Sequence, residues 1–186
     1  MNVIETPRLI LRHVTLEDTE ALAAIYADPI VMKFFRSVRS LEVTKQKIEK
    51  MIESYENNGF GTWATIYKLN NQLIGRCGLI PHIIDDRSEL EIAYLLAKEY
   101  WGKGLATEAA IAIRDYGFEK IGCDRLISLI DHDNIASQKV VLKTGLTYEK
   151  DIDMEGEYLR LYAIARDNQY NKNNSILNLF RIYYLE

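Results

Sequence analysis

The chain has 186 residues, 48% hydrophobic and 27% charged, with 10 Gly and 3 Pro, the profile of one globular domain with its own core rather than a disordered segment. Its 23 basic and 27 acidic side chains, formally −4 in sum, are mixed along the sequence, so no basic stripe offers itself to a nucleic-acid backbone. Cys77 and Cys123 have neither the density of a disulfide scaffold nor the paired spacing of a zinc site, and with no basic leader or long apolar run the chain reads as cytoplasmic, without a membrane span or a metal.

Leu9-Ile10-Leu11-Arg12 is the first strand expected. Thr15 stands three residues before Asp18 as a reciprocal cap, so a helix over about 17–26 follows. A second helix, about 43–57, puts Ile48, Met51, Ile52 and Tyr55 on one face and ends at Asn57-Asn58-Gly59. Strands over about 60–67 and 73–80, joined by Lys68-Leu69-Asn70-Asn71-Gln72, are expected to pair antiparallel. Pro81 is expected to close the second of them, and Asp85-Asp86-Arg87-Ser88 reads as an exposed turn.

From Glu89 to Leu96 the period is two: Leu90, Ile92, Tyr94 and Leu96 share one face, Glu89, Glu91, Ala93 and Leu95 the other. A helix over about 104–119 with a nearly apolar surface leads to a strand over about 125–130, whose successive apolar residues predict burial on both faces. Asn134 is placed to cap a short helix that exits at Gly145, and strands over about 147–153 and 157–165 flank Glu155-Gly156. The order is that of a mixed α/β domain with one parallel, right-handed crossover. The domain is expected to span 1–166; residues 167–186 form a polar linker and an apolar tail, which is expected to dock on the domain or on a second copy in a homodimer.

Tyr100-Trp101-Gly102-Lys103-Gly104-Leu105-Ala106-Thr107 lies where the clearest strand gives way to a helix. Glycines permit close backbone approach, and a helix start presents unpaired amides that suit an anion. On this pattern alone, an anion site and a plain tight turn stand side by side. Leu105 after Gly104 rules out a nucleotide P-loop, and Thr107 stands where a dinucleotide fingerprint needs its third glycine.

Taken in order, Thr6-Pro7-Arg8-Leu9-Ile10-Leu11-Arg12, Leu90-Glu91-Ile92-Ala93-Tyr94, this glycine turn, Asn134-Ile135-Ala136-Ser137 and Val141-Leu142-Lys143-Thr144-Gly145-Leu146 resemble the GNAT superfamily of N-acetyltransferases, in particular its RimJ/RimL-type ribosomal-protein branch. The resemblance covers about 5–166. It implies a central, mostly antiparallel mixed sheet flanked by helices and splayed between the family's fourth and fifth strands, with acetyl-CoA as cosubstrate. It further implies that the backbone of Leu95, Leu96 and Ala97 pairs with the pantetheine arm. Gly102, Lys103, Gly104, Leu105 and Ala106 would hold the pyrophosphate, with Trp101 and Thr107 beside them, and Asn134 and Ser137 would lie near the thioester. Trp101 stands where many members have Arg or Gln, and Val141 where many have a tyrosine acid.

Acetyl transfer to nitrogen needs a neutral amine and a protonated leaving thiolate. An unperturbed α-amine, with pKa near 7.7, is roughly 15% neutral at pH 7, against below about 0.1% for lysine. Glu91 is the candidate base, Glu89 the alternative on the same face, and Ser137 the candidate donor to the thiolate. Tyr94 is expected in the core and His132 in an ordinary loop. Neither cysteine has a histidine pattern for a covalent intermediate, so direct attack is expected. Asp85, Asp86, Glu89 and Glu91 together would draw a cationic acceptor. A protein or peptide α-amine is the leading acceptor; a small amine such as an aminoglycoside or polyamine, and a non-catalytic CoA-binding module, are the alternatives.

Overall fold

The apolar alternation of Leu9–Arg12 has a strand to pair with upstream. Asn2–Glu5 (β1), unmarked in the sequence because it is short and sits at the sheet edge, runs antiparallel to Leu9–Arg12 (β2). The structure, a computed structural model, describes residues 2–35, 37–154 and 156–166; the expected linker and tail over 167–186 lie outside them. Thr62–Tyr67 (β3), Gln72–Ile84 (β4) and Arg87–Leu96 (β5) continue the antiparallel half of the sheet. Arg125–Asp131 (β6), Thr147–Met154 (β7) and Glu157–Ala165 (β8) complete it in the order β1-β2-β3-β4-β5-β6-β8-β7.

Side chains cap the starts of two helices and of the turn that leads into a third. Asp18 accepts from the Thr15 amide at 2.9 Å, and a 3-10 turn over Leu16–Asp18 feeds Thr19–Ala27 (α1). Ser40 caps Leu41–Asn58 (α2), which stops at Gly59 in the left-handed region. Leu105–Tyr116 (α3) continues into a five-residue π-helical turn, Gly117–Ile121, and Ile135–Lys143 (α4) follows β6. Each sheet face buries its own core. Leu90, Ile92 and Leu96 of β5 pack with Leu105, Ala109 and Ile113 of α3, whereas Leu95 packs with Leu22, Tyr26 and Ile48 of α1 and α2. The period-two reading of β5 is thus a partition between two helical layers.

β4 does not end at Pro81. It runs to Ile84, and Asp85 and Asp86, both with positive φ (49° and 60°), form a two-residue turn that pairs Ile84 with Arg87. Proline is tolerated because Leu79 donates to Gly61 O at 3.0 Å on the β3 side; Pro81, two residues on, turns its nitrogen to the same side beyond the start of β3, where no partner is lost. Arg87 and Ser88 therefore belong to a strand.

The one parallel pair among the described residues, β5 with β6, is joined in register at Glu91 and Ile127. Ser128 donates its hydroxyl to Ile92 O at 2.9 Å, and past it the strands diverge to Leu96 and Asp131. Gly75 sits opposite Leu96 at the open end, with φ 155°. A Cβ there would stand 2.1 Å from Leu95 O. Gly75→Ala is expected to cost about 1–3 kcal/mol, lowering Tm by roughly 2–4 °C per kcal/mol. In thermal melts it should exceed Gly59→Ala, whose Cβ would meet nothing within 4 Å; equal losses would show that the β5 contact is not the constraint.

Candidate active site

Where β5 and β6 part, two cavities meet. One, of about 380 Å³, lies between the end of β5, the glycine turn and α4. The other, of about 610 Å³, opens on the α1–α2 side between β4, β5, β6 and β8. Phe34, Phe35, Tyr94, Asn134 and Ser137 line both.

The first cavity is floored by main chain. Gly102 and Gly104 take φ 73° and 76°; a Cβ at Gly102 would meet open space and one at Gly104 only Arg8 Nη2 at 3.6 Å, so the glycines answer to backbone conformation. Gly104 is the N-cap of α3 and supplies no side-chain cap. Among the described residues, Glu108 is the first after the turn whose amide finds a backbone acceptor, Gly104 O at 3.0 Å; the amides from Gly102 to Thr107 have none. These unpaired donors at the positive end of a helix fit a pyrophosphate. Lys139 and Lys143 of α4 line the same cavity.

The turn is clamped from a distance. Glu108, in the first turn of α3, accepts from the Thr6 hydroxyl at 2.6 Å, the Arg8 amide at 2.9 Å and Arg8 Nε at 2.6 Å, while Arg8 Nη1 donates to Lys103 O at 2.9 Å. Burial opposes the charge of Glu108, but these bonds prevail and hold its carboxyl below the ordinary value.

The three residues expected to present backbone to a pantetheine arm, Leu95, Leu96 and Ala97, all have groups already engaged, Leu95 through its pairing with Arg76 of β4. The Ala97 amide donates to Ile74 O at 2.8 Å across the β4 ladder, and Trp101 donates its indole N–H to Leu96 O at 2.8 Å. Alternation leaves the Leu96 amide on the open side. Trp101, 46% exposed and expected beside the pyrophosphate, thus braces β5 from the position where many members of the resembled family have Arg or Gln. Asn134 accepts from the Ser137 amide at 3.1 Å through Oδ1, and its own amide nitrogen, like the Ser137 hydroxyl, has no protein partner among the described residues. Tyr94 packs against the α3 core and donates to Ser137 O at 3.0 Å, and burial raises its pKa. Val141 is buried in that core and lines neither cavity.

In the second cavity Glu91 does not stand alone. His82 Nε2 and Glu91 Oε2 are 2.7 Å apart, both largely shielded from water. Hydrogen bonding to Glu91 raises the His82 pKa above its ordinary value, against an opposing effect of burial. His82 was hidden in the sequence behind the supposed end of β4; the Asp85-Asp86 turn and period-two counting back through Pro81 are the signals that place it. Glu89, the alternative base, is buried and held by Arg125 Nε at 3.1 Å from both its oxygens, with Arg125 bonded in turn to Glu149. Asp85 pairs with Lys150. The four acidic residues read together as an approach therefore disperse, and of them only Glu91 lines this cavity. His132 accepts from Arg160 Nε at 3.2 Å and lines neither cavity. Burial pushes the Cys77 thiol up to about 11 and also raises Cys123, so neither is a ready nucleophile.

Comparison with known proteins gives the family. The family model described as an acetyltransferase (GNAT) domain matches residues 8–147. The uncharacterized protein YkkB of Bacillus subtilis (strain 168) is 30% identical over 158 residues, 84% of this chain and 92% of its own. A GNAT-family acetyltransferase structure from Bacillus anthracis superposes with TM-score 0.74 at 27% identity, covering 87% of this chain and 97% of that one. The structure of RimL, a ribosomal L7/L12 α-N-protein acetyltransferase in complex with coenzyme A, shares the fold with TM-score 0.75 at 17% identity, covering 90% and 99%. The chain belongs to the GNAT acetyltransferase family and is an enzyme of acetyl-CoA-dependent acetyl transfer.

Proposed function

We propose that the enzyme moves an acetyl group directly to a primary amine, with the α-amine of a peptide or protein N-terminus as its acceptor, as in the RimJ/RimL branch. The observation that supports this reading is the meeting of the two cavities at Tyr94, Asn134 and Ser137, with the His82–Glu91 pair on the acceptor side. Bound in the first cavity, acetyl-CoA supplies an acetyl group already activated as a thioester. The amides of Gly102 to Ala106, with Lys139 and Lys143, bind its phosphates. Leu96 offers its amide to the arm, and Trp101 keeps that stretch of β5 in place.

Glu91 and His82 act as one base. The pair takes a single proton from the incoming ammonium, directly or through one water, when the imidazole is neutral and the carboxylate ionised. A raised His82 value brings the pair toward the range in which an α-amine itself titrates. Asn134 orients the acetyl oxygen through its free amide nitrogen. Ser137, whose hydroxyl is unengaged, delivers a proton to the leaving sulfur and regains one from the attacking nitrogen, which sheds its second proton as the amide forms. The raised Cys77 and Cys123 values favour direct attack over an acetyl-cysteine. A small amine is the second reading, favoured by an acceptor cavity of about 610 Å³, the size of a small-molecule site.

Thiol release with acetyl-CoA and unblocked peptides, checked by mass for N-terminal acetylation, tests the assignment; turnover confined to spermidine or an aminoglycoside would move it to the second reading. Glu91→Gln is expected to lower kcat by about 10²-fold, the low end for a lost general base; an undiminished kcat removes Glu91 from the mechanism.

The pH dependence has a definite sign. In the wild type kcat/KM should rise with pH through the raised His82 value, and His82→Gln should abolish that limb. Followed by NMR, the His82 ring should titrate above the ordinary 6.5 and fall toward or below it in Glu91→Gln. Because the folded value is raised, the stability contributed by the His82–Glu91 ion pair is full below the unfolded histidine value and is lost as pH rises through the folded one. Denaturation series in wild type and Glu91→Gln should therefore converge on the alkaline side.

A further inference from the structure

The acceptor cavity has an acid–base pair at one end and a concentration of positive charge at the other. Arg76 of β4, Lys47 of α2 and Arg39, just before α2, all line it. Arg76 is only 8% exposed; its Nε donates to the Tyr26 hydroxyl at 2.9 Å, while Nη1 is buried and finds no acceptor. Arg39 lies over the Tyr26 ring at 4.6 Å. Among the described residues none of the three cations has a carboxylate within ion-pair distance. They feel one another instead: burial lowers Lys47, with Arg39 and Arg76 adding to the effect, and burial lowers Arg39, with Arg76 adding.

Burial and neighbouring positive charge disfavour the charged forms of Lys47 and Arg39, and Arg76, though Tyr26 and Glu91 favour its charge, is buried with a donor unmatched; an anion joining them would relieve both. The carboxylate that Arg76 senses is that of Glu91, which is already engaged with His82. On β4, Arg76 pairs with Leu95 and Ile80 pairs with Glu91, so four residues, about 13 Å of strand at roughly 3.3 Å each, separate the cationic end from the base. A ligand with an amine at one end and an anion several bonds away spans that interval.

We propose that Arg39, Lys47 and Arg76 form an anion-binding subsite of the acceptor cavity, and that the acceptor is an amine carrying a carboxylate or phosphate. This rests on the reading of the second cavity as the acceptor site. It reverses the cationic acceptor that the acidic residues of the sequence suggested, because those residues disperse and the basic ones converge. The anion is either the acidic side chain of a peptide near its N-terminus or the acid group of a small amine, and the two sources share the same contacts.

The test compares acceptors that differ in one charge. Alanyl-glutamate amide, alanyl-glutamine amide and alanyl-lysine amide are assayed by thiol release alongside O-phosphoethanolamine and ethanolamine, with wild type, Lys47→Gln and Arg39→Gln. Acetyl-CoA affinity, measured by calorimetry, controls for folding and for the first cavity. A buried cation such as Arg76 tolerates change poorly, so the two half-buried positions are the decisive ones. The wild type should favour the anionic member of a pair roughly tenfold or more in kcat/KM, the scale of a charge-assisted hydrogen bond. In both variants that preference should shrink toward unity with acetyl-CoA affinity retained.

If the peptides are inert but O-phosphoethanolamine is favoured over ethanolamine, the anion subsite stands and the acceptor is a small molecule. Equal use of paired acceptors, or preference for the neutral or cationic member, overturns the proposal while leaving the transferase reading intact. Loss of acetyl-CoA affinity in the variants also overturns it, since the cations would then serve the cosubstrate. Should no amine be acetylated, the acceptor reading fails, and binding of O-phosphoethanolamine to the acetyl-CoA complex decides the subsite: saturable binding lost in Lys47→Gln upholds it, and no binding overturns it.

Discussion

Backbone polar groups must be paired or wet, and the parting of β5 from β6 is where this protein meets that constraint in an unusual way. One rung, Glu91 with Ile127, joins the two halves of the sheet. Past it, each strand would present a row of orphan donors and acceptors. Side chains close some of them: Ser128 serves Ile92 O and Trp101 serves Leu96 O. What stays open is concentrated at the Leu96 amide and the first turn of α3, and those are the groups a ligand would find. The cleft is thus a local exception to sheet pairing, bounded on both sides by fully paired strands.

The two cavities carry positive charge in different ways. On the α3 and α4 side the positive character comes mainly from main-chain amides, whose positions are fixed by backbone geometry and change little with sequence. On the α1 and α2 side it comes from long side chains, Arg39, Lys47 and Arg76, supported by Tyr26. A main-chain site suits a ligand common to a whole family; a side-chain site suits one that differs between members. The division of labour follows the division of the core, since Leu90, Ile92 and Leu96 anchor one wall while Leu95 and Ala97 anchor the other.

Much of this was legible in the residues. Period-two alternation located β5 and assigned its faces, and the pairing of glycines with a following helix located the turn, because both are local patterns with a backbone cause. Capping by Thr15 with Asp18 and by Asn134 was likewise readable from short spacings. The failures were relations across strands. Pro81 looked like an end because a proline costs a ladder bond in the middle of a sheet; which side of β4 lacks a neighbour is a property of the whole sheet. That misreading concealed His82 and with it the partner of Glu91. Glu89 and Glu91 were indistinguishable by alternation, and only the positions of Arg125 and His82 on other strands separate them. The basic cluster draws on a strand, a helix and the segment before it, so no window of sequence contains it.

The Glu108 clamp extends the site further along the chain than its lining residues suggest. Thr6 and Arg8 line neither cavity, yet they fasten the loop between β1 and β2 to the first turn of α3 and to Lys103 O. Roughly a hundred residues of chain separate the two sides of this clamp on the glycine turn. A chain whose edge strand frays would keep its hydrophobic layers and lose this brace on the glycine turn first.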